Sequence, residues 1–158
     1  MSVRVTPATP DDVPAIFSFI RELAEYEKLL DRVTATERML HDSLFGPRPY
    51  AEVLMGRLDG TAVGYALFFH SFSTFLARPG IYLEDIYVRP AARGHGVGKA
   101  LLREVARVAR ERGCGRIEWS VLDWNKPSID FYLSIGATPM DEWTMYRMDE
   151  RAIENLAR

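Results

Sequence analysis

The stretch from Tyr82 to Ala100 reads YLEDIYVRPAARGHGVGKA, and it decides how the chain can fold. It completes an apolar strand over Gly80 to Val88, passes through a loop with three glycines, and continues as an amphipathic, basic helix over Val97 to Arg112. Glycines allow the backbone to approach an anion, and the N-terminus of the following helix presents N–H groups and a positive dipole end to it. The junction is therefore expected to bind a phosphate, with Arg93 and Lys99 adding positive charge.

Two common phosphate-binding loops are excluded by their spacing. A Walker loop requires a glycine where Arg93 stands and a serine or threonine where Ala100 stands, so a nucleoside triphosphate site fails at two positions. A dinucleotide fingerprint requires a glycine at Lys99 and a place after the first strand of a parallel unit, and neither condition is met. The pattern that the loop does contain is Arg-x-x-Gly-x-Gly, at Arg93, Gly96 and Gly98.

The segments before this stretch alternate between helical and extended patterns. A short strand is expected at Val3 to Pro7, followed by a helix from Val13 that Thr9 or Asp11 can cap. Thr34 and Glu37 have capping-box spacing for a second helix ending at Gly46-Pro47. The strand patterns at residues 50–58 and 62–69 flank Asp59-Gly60, which predicts an antiparallel hairpin.

The segments after it add a strand over Arg116 to Leu122, a short helix over Pro127 to Ile135 and a last strand over Thr144 to Met148. This order of elements predicts one sheet in which some strands are joined by hairpins and others by helical crossovers. The expected fold class is therefore mixed α/β (α+β). No linker, repeat or low-complexity tract interrupts the chain, and residues 1–158 are expected to form a single domain.

The composition limits the partners of the protein. The 158 residues include 20 basic and 22 acidic side chains, which disfavours nucleic acid as the main partner. No signal peptide or membrane span is recognisable, and a single cysteine fits a reducing compartment, so a cytoplasmic location is expected. His41 and His70 lack metal-ligand spacing, and no metal site is expected.

Two ordered motifs carry a family resemblance. The loop Arg-x-x-Gly-x-Gly is similar to the acyl-coenzyme A pyrophosphate loop of the GCN5-related N-acetyltransferases, and Asp123 to Tyr132, DWNKPSIDFY, is similar to the family's next motif. The residues Tyr82 to Asp85, Tyr26-Glu27 and Val121 to Asn125 resemble the diamine (spermidine/spermine) and thialysine branch. The likeness runs from about Val3 to Met148. It implies six to seven mostly antiparallel strands flanked by helices, with splayed strands opening a coenzyme A cleft.

The resemblance also implies which residues bind acetyl-CoA as co-substrate. The backbone of the splayed strand would contact thioester and pantetheine, the glycine loop would bind the pyrophosphate, and a stretch near the thiol would complete the coenzyme site. In chain order these residues are Ile86, Tyr87, Val88, Arg93, Gly94, His95, Gly96, Val97, Gly98, Lys99, Asn125, Lys126, Pro127 and Ser128. His95 is interpreted as a solvated loop residue rather than a catalytic base.

Two residues are assigned to the chemistry by the same resemblance. Tyr132 stands where the family has a general acid that protonates the leaving thiolate, although a core aromatic explains the residue pattern equally well. Glu84 stands where the branch has a carboxylate that contacts the amine and passes its proton out through water. The structural alternative for Glu84 is an ordinary strand carboxylate paired with an arginine.

The acceptor site is expected to combine carboxylates with aromatics, which suits a small cation. Its residues would be Tyr26, Glu27, Glu84, Glu118, Trp119, Ser120, Glu142 and Trp143; Trp143 can equally be a core or interface aromatic. Ser73-Thr74-Phe75 stands where polyamine enzymes have an acidic loop, which favours a lysine-like acceptor. Acetylation of a protein or peptide amine and a non-catalytic coenzyme A binding module stay open as alternatives. A homodimer is implied by resemblance.

Overall fold

A computed structural model describes all 158 residues, and a five-stranded sheet is its main feature. The strands follow the sheet in chain order, and the first four are antiparallel to their neighbours while the fifth is parallel to the fourth. This confirms the mixed, mostly antiparallel α/β class, with five strands rather than six to seven. They are β1 (Val3–Pro7), β2 (Glu52–Leu58), β3 (Thr61–Ser73), β4 (Arg78–Val88) and β5 (Ile117–Glu118).

Five α-helices accompany the sheet: α1 (Val13–Tyr26), α2 (Glu37–Phe45), α3 (Val97–Glu111), α4 (Lys126–Ser134) and α5 (Glu150–Leu156). A 3₁₀ turn precedes α1, where the Asp12 carboxylate accepts from the Thr9 N–H at 2.9 Å. The capping box expected at Thr34 is wrong, because α2 is capped by Thr36, whose hydroxyl accepts from the Met39 N–H at 3.1 Å. None of the helices is long and apolar enough to cross a membrane.

The sheet separates two apolar clusters. On one face, α3 covers residues that include Leu54, Phe68, Ile81 and Leu83, and we call this the α3 face. α3 approaches β2 so closely that a Cβ at Gly56 would lie 2.6 Å from a Val97 methyl carbon. On the other face, which we call the α1–α2 face, the buried residues are Ile16, Phe19, Leu44, Val53, Met55, Tyr65 and Tyr87.

The turn between β2 and β3 has the expected geometry. Asp59 and Gly60 both have left-handed backbone angles, φ 49° and 85°, as the two-residue hairpin turn requires. The Asp59 carboxylate also accepts from the Ser2 N–H at 2.8 Å, which ties the hairpin to the start of β1. The prediction of this hairpin from an Asp-Gly pair between two strand patterns is therefore confirmed.

A β-bulge in β4 changes which side of the sheet its residues face. Leu83 pairs with Phe68 and Asp85 pairs with Leu67, so Glu84 is an extra residue without a partner in β3. Before the bulge, Leu83 packs on the α3 face; after it, Asp85 shares the α1–α2 face with Tyr65 and Tyr87. The bulge breaks the simple alternation of side chains along the strand.

By its internal contacts the chain divides into two compact units, residues 1–120 and 121–158. The second unit holds α4 and α5. Two strand predictions need correction here. The strand predicted over residues 116–122 is reduced to Ile117–Glu118, and Thr144 to Met148 is exposed coil rather than a strand, because it pairs with no other strand. α5, capped by Asp149, was not predicted.

Candidate active site

The open edge of β4 is the first element of the candidate site. β5 pairs with β4 only at Ile81 and Tyr82, so β4 continues to Val88 with β3 on one edge and no strand on the other. The Arg89 N–H donates to the Val63 carbonyl at 2.9 Å. Because successive N–H groups of a strand alternate between its edges, those of Val88 and Ile86 face the open edge and that of Tyr87 faces β3.

The glycine loop leads from this edge into α3. Gly94 and Gly96 have φ angles of 84° and 85°, a left-handed conformation that glycine adopts without strain. The first hydrogen bond of the helix runs from the Ala100 N–H to the Gly96 carbonyl, 3.0 Å. The N–H groups of Val97, Gly98 and Lys99 therefore precede the helical bonding pattern, at the positive end of the helix dipole. This arrangement fits a diphosphate group.

Arg93 connects the loop to both neighbouring elements. Its Nε donates to the Val88 carbonyl at 3.0 Å, and its guanidinium lies 5.7 Å from the centre of the Tyr26 ring at the end of α1. The residue predicted for coenzyme binding and the residue predicted for amine binding thus lie side by side. His95 is exposed on the loop, and Lys99 is exposed in the first turn of α3.

An ion pair fixes the end of β4 to α1. Arg89, directly after β4, donates to both carboxylate oxygens of Glu22 at 2.9 to 3.1 Å and lies 4.7 Å over the Phe19 ring. Burial acts to raise the pKa of Glu22, but hydrogen bonds from Arg89 and Tyr87 outweigh it and hold that pKa below its ordinary value. Burial, followed by the bond to Glu22, raises the pKa of Tyr87 to about 12.

An acidic cluster lies next to this ion pair on the α1–α2 face. The Tyr65 hydroxyl donates to Asp85 Oδ2 at 2.8 Å. Burial raises the pKa of Asp85, and the hydrogen bond from Tyr65 acts against this rise. Burial also raises the pKa of Glu27, which follows α1, and the negative charge of Asp85 adds to the effect. Asp85 and Glu27 are therefore close enough for the charge of one to act on the other.

The other residues predicted to bind the acceptor in the first unit differ in exposure and in their hydrogen-bond or ion-pair partners. Glu84 is exposed at the bulge, and its charge reaches the Tyr65 hydroxyl. Glu118 is paired with Arg116 at 3.1 Å, and the Ser120 hydroxyl lies 2.9 Å from that of Tyr82. Trp119 packs against the α3-face cluster. The charge of Glu84 therefore acts on the same hydroxyl as that of Asp85, and Glu118 is paired with Arg116.

The second unit positions the other predicted residues on and after α4. Asn125 is 9% exposed and caps α4, its side-chain oxygen accepting from the Ser128 N–H at 3.4 Å. Pro127 stands in the first turn, and Lys126 is paired with Asp130 at 3.2 Å. Tyr132 is half-buried on α4, with its ring centre 6.0 Å from that of Phe131. Glu142 and Trp143 are exposed in the coil after α4.

Sequence reasoning assigned no role to four residues of these arrangements. Asp85 lies in the Tyr82–Asp85 motif, but the sequence does not show the bulge that precedes it or its contact with Tyr65. Tyr65 lies in a run typical of a buried strand, and nothing in that run indicates a hydrogen bond to residue 85. Arg89 and Glu22 are 67 positions apart. No metal site was expected, and no group of three His, Cys, Asp or Glu side chains that could hold a metal is found.

Comparison with known proteins identifies the class. The model of the acetyltransferase (GNAT) family matches residues 16–137, which is most of the chain. The protein therefore belongs to the GNAT acetyltransferase family, whose acetyl donor is acetyl-CoA. It is an N-acetyltransferase, which confirms the enzyme class inferred from the glycine loop and the Asp123–Tyr132 motif.

Relatives that match nearly the whole chain indicate which branch of the family it resembles most. The chain is 41% identical to thialysine N-epsilon-acetyltransferase of Sus scrofa, covering 99% of this chain and 98% of the relative. It is 32% identical to an L-ornithine N5-acetyltransferase of Arabidopsis thaliana, covering 99% and 88%. Among solved structures, an integron cassette protein of V. cholerae superposes with a TM-score of 0.82 at 26% identity, covering 100% and 99%. The resemblance to the thialysine and diamine branch is confirmed.

Proposed function

We propose that the protein transfers the acetyl group of acetyl-CoA to the primary amine of a small cationic substrate, by direct attack in a ternary complex. The acceptor is a thialysine-like or lysine-like amine, in preference to a di- or polyamine. One observation carries the proposal. Asp85 lies on β4, whose open edge leads into the glycine loop, and the charge of Asp85 acts on Glu27 at the end of α1, so acidic groups suited to a cation adjoin the predicted anion site.

The glycine loop supplies the coenzyme site in this proposal. The N–H groups of Val97, Gly98 and Lys99 bind the pyrophosphate, and the side chains of Arg93 and Lys99 add charge. The N–H of Ile86 contacts the pantetheine, and that of Val88 polarises the thioester carbonyl. Asn125, Lys126, Pro127 and Ser128 complete the coenzyme contacts, as the family resemblance implies.

Two side chains move protons. The substrate ammonium, with a pKa near ~10.4, must lose a proton before it can attack. Glu84, exposed at the bulge, accepts this proton through water, and the Tyr132 hydroxyl gives a proton to the departing thiolate. Tyr26 and Glu27 contact the acceptor, with Trp119, Ser120, Glu142 and Trp143 as further contacts. Glu118 contributes its charge only when Arg116 releases it.

Direct attack is favoured over a covalent acetyl-enzyme by the position of the cysteine. Cys114 follows the C-terminal end of α3, whereas the glycine loop precedes its N-terminal end. The 15 residues of α3 separate the two by about 22 Å at 1.5 Å per residue. A Cβ at Gly98 would lie 3.7 Å from a Val88 methyl carbon, so Val88, where the thioester is proposed to bind, lies at the opposite end of α3 from the thiol. Cys114→Ser should therefore retain wild-type turnover.

The proposal includes a homodimer in the cytoplasm. Support for a dimer comes from large apolar side chains that face solvent: Phe75 is 99% exposed on the β3–β4 connection, and Trp143 is 76% exposed in the second unit. The location rests on the single, unpaired cysteine. Sedimentation equilibrium tests the dimer, and a monomer at micromolar concentration would remove this part of the proposal.

An amine screen tests the function. The purified protein is incubated with acetyl-CoA and with thialysine, lysine, ornithine, diamines, spermidine, aminoglycosides or amine-bearing peptides, and free thiol is measured. We expect the highest kcat/KM with lysine-like amines. Preference for peptides would overturn the acceptor class, and tight acetyl-CoA binding without turnover of any amine would favour a non-catalytic module.

Two variants with a matched control separate the proton steps. Tyr132→Phe should lower kcat by about 100-fold, since general-acid catalysis contributes on this scale. Glu84→Gln should lower kcat/KM for the amine and alter its pH profile. The control is Tyr146→Phe, which removes a hydroxyl from a 92% exposed residue in the second unit. Wild-type kcat for a folded Tyr132→Phe protein would exclude the acid role.

A further inference from the structure

Glu22 of α1 holds two residues at the end of β4 through its carboxylate. It accepts from the Tyr87 hydroxyl at 3.0 Å and from two nitrogens of Arg89 at 2.9 to 3.1 Å. The Ser18 hydroxyl, one turn earlier in α1, donates to it at 3.1 Å. Burial acts to raise the pKa of Glu22, but these donors hold it below its ordinary value, so the side chain stays a carboxylate at neutral pH. Its position is therefore fixed from both the helix and the strand.

Val88 lies between the two residues that Glu22 holds. Tyr87 and Arg89 direct their side chains to the α1–α2 face, whereas that of Val88 packs against the α3-face cluster. β3 adjoins this segment so closely that a Cβ at Gly64 would lie 2.4 Å from the Tyr87 carbonyl oxygen and 3.1 Å from the Val88 Cα. The backbone at Val88 is thus held by contacts from α1, from the α3 face and from β3.

Val88 presents its own backbone to the open edge of β4. Its carbonyl oxygen accepts from Arg93 Nε at 3.0 Å, and its N–H faces the same edge. In the proposed function this N–H polarises the thioester carbonyl. A donor to a developing oxyanion is effective only when it lies within about 0.5 Å and about 10 to 20° of the productive geometry. A group that fixes the residues on both sides of Val88 therefore fixes the direction of this donor.

We propose that Glu22 is a positioning residue for acetyl transfer, which aims the Val88 N–H at the thioester carbonyl by holding the residues on either side of it. This inference rests on the role that the proposed function gives to Val88. Glu22 acts through the backbone of β4 and contacts neither substrate. The attachment of α1 to the sheet does not depend on Glu22 alone, because Asp12, directly before the helix, pairs with Arg57 of β2 at 2.8 Å.

The kinetic test compares variants with cadaverine and n-pentylamine, two acceptors that differ in one charge. Glu22→Gln should lower kcat by about tenfold, because removal of an oxyanion donor costs about 100- to 1,000-fold and a misdirected donor keeps part of its effect. Tyr87→Phe keeps the ring, which lies 6.2 Å from that of Phe19, and should lower kcat by a smaller factor without changing the KM for acetyl-CoA. Both amines should be affected equally, since Glu22 acts on the acetyl donor.

Asp12→Asn is the matched control. It removes a partly buried carboxylate that pairs with an arginine, as Glu22 does, but at the other end of α1. It should lower the melting temperature and retain wild-type kcat. Equal losses of kcat in Asp12→Asn and Glu22→Gln would show that Glu22 only stabilises the fold, and unequal losses for the two amines would show that it acts on the acceptor. Either result would overturn the inference.

The infrared carbonyl band of acetyl-CoA, isotope-labelled at the thioester carbon, reports the donor directly and requires no acceptor. Binding to the wild-type protein should move the band to lower frequency, since a hydrogen bond polarises the carbonyl. Glu22→Gln should lose much of this shift, and Asp12→Asn should keep it. An unchanged shift in Glu22→Gln would overturn the inference while the proposed function stands. No shift in the wild-type protein would remove the role of Val88 from the proposed function, and this inference with it.

Discussion

The two faces of the sheet are built from the same strands but have different contents. The α3 face is apolar at its centre, where Leu101, Val105 and Val97 of the helix pack on Phe68 and Leu83, and its one ion pair there, Arg112–Glu52, lies over the Phe68 ring. The α1–α2 face has a comparable apolar base, but tyrosine hydroxyls, the Arg89–Glu22 pair and the Asp85–Glu27 cluster lie on top of it. One face is mainly a packed core, and the other also carries the charged groups to which the proposed function assigns the chemistry.

This division predicts that damage to the α3 face costs stability without changing amine preference. Leu101 is fully buried, and Leu101→Ala should lower the free energy of unfolding by about 2 to 5 kcal/mol. Urea denaturation measures the loss, and the ratio of kcat/KM for cadaverine and n-pentylamine should not move. Met39→Ala, at an exposed position, is the control. A changed ratio would show that the two faces are not separate.

Removal of the ion pair on the α1–α2 face should affect stability and coenzyme binding together. Arg89→Ala loses a bidentate pair that is partly exposed, at a cost of about 1 to 2 kcal/mol. Because Arg89 stands between β4 and the glycine loop, the KM for acetyl-CoA should also rise. Arg89→Lys keeps the charge but not the bidentate geometry and should be intermediate. An unchanged KM for acetyl-CoA in Arg89→Ala would contradict this role.

The acidic cluster should make stability depend on pH. Burial raises the pKa of Asp85 in the folded protein, so that state retains a proton that the unfolded chain has already released. Stability must then fall as pH rises from the ordinary aspartate value near about 4. Asp85→Asn removes the titrating group and therefore its contribution to the pH dependence. The difference in unfolding free energy, variant minus wild type, should then increase from about pH 4 toward neutrality. A difference that stays constant across this range would contradict the assignment.

The smallest effect is expected on the solvent side of α3. Arg107 contacts Glu104 and Glu111 there, within one helix and in water. Such pairs contribute little, because solvent screens them and ordering two long side chains is unfavourable. Arg107→Gln should leave the midpoint of unfolding and the kinetics of both amines within experimental scatter. A clear change in either would mean that this surface has a role beyond solvation.

Local patterns in the sequence predict much of the fold and part of the candidate site. The glycine loop, α3 and the Asp59-Gly60 hairpin were predicted because backbone conformation and amphipathic spacing act over a few residues. The choice between Thr34 and Thr36 was wrong because both threonines offer the same chemistry near the start of α2. The strand at Thr144 to Met148 was wrong because an alternating pattern forms a strand only where a partner strand is present.

The polar arrangements on the α1–α2 face depend on register, which the sequence does not display. Tyr65 meets Asp85 only because β3 and β4 pair with one extra residue, and Arg89 meets Glu22 only after α1 packs on the sheet. The roles of Tyr132 and Glu84 came from family resemblance rather than from spacing. They stay predictions until the two variants are measured.

The bulge at Glu84 has a consequence for how this protein can vary. One supernumerary residue carries β4 from one side of the sheet to the other, so Leu83 serves the core and Asp85 serves the cluster although only one position separates them. Without Glu84, Leu83 and Asp85 would be adjacent and would still face opposite sides by simple alternation; if Glu84 instead paired regularly with β3, Asp85 and Tyr87 would turn toward α3. The side-chain identities of Leu83 and Asp85 can therefore vary one at a time, whereas a strand that absorbed Glu84 into its register would exchange core and site at once.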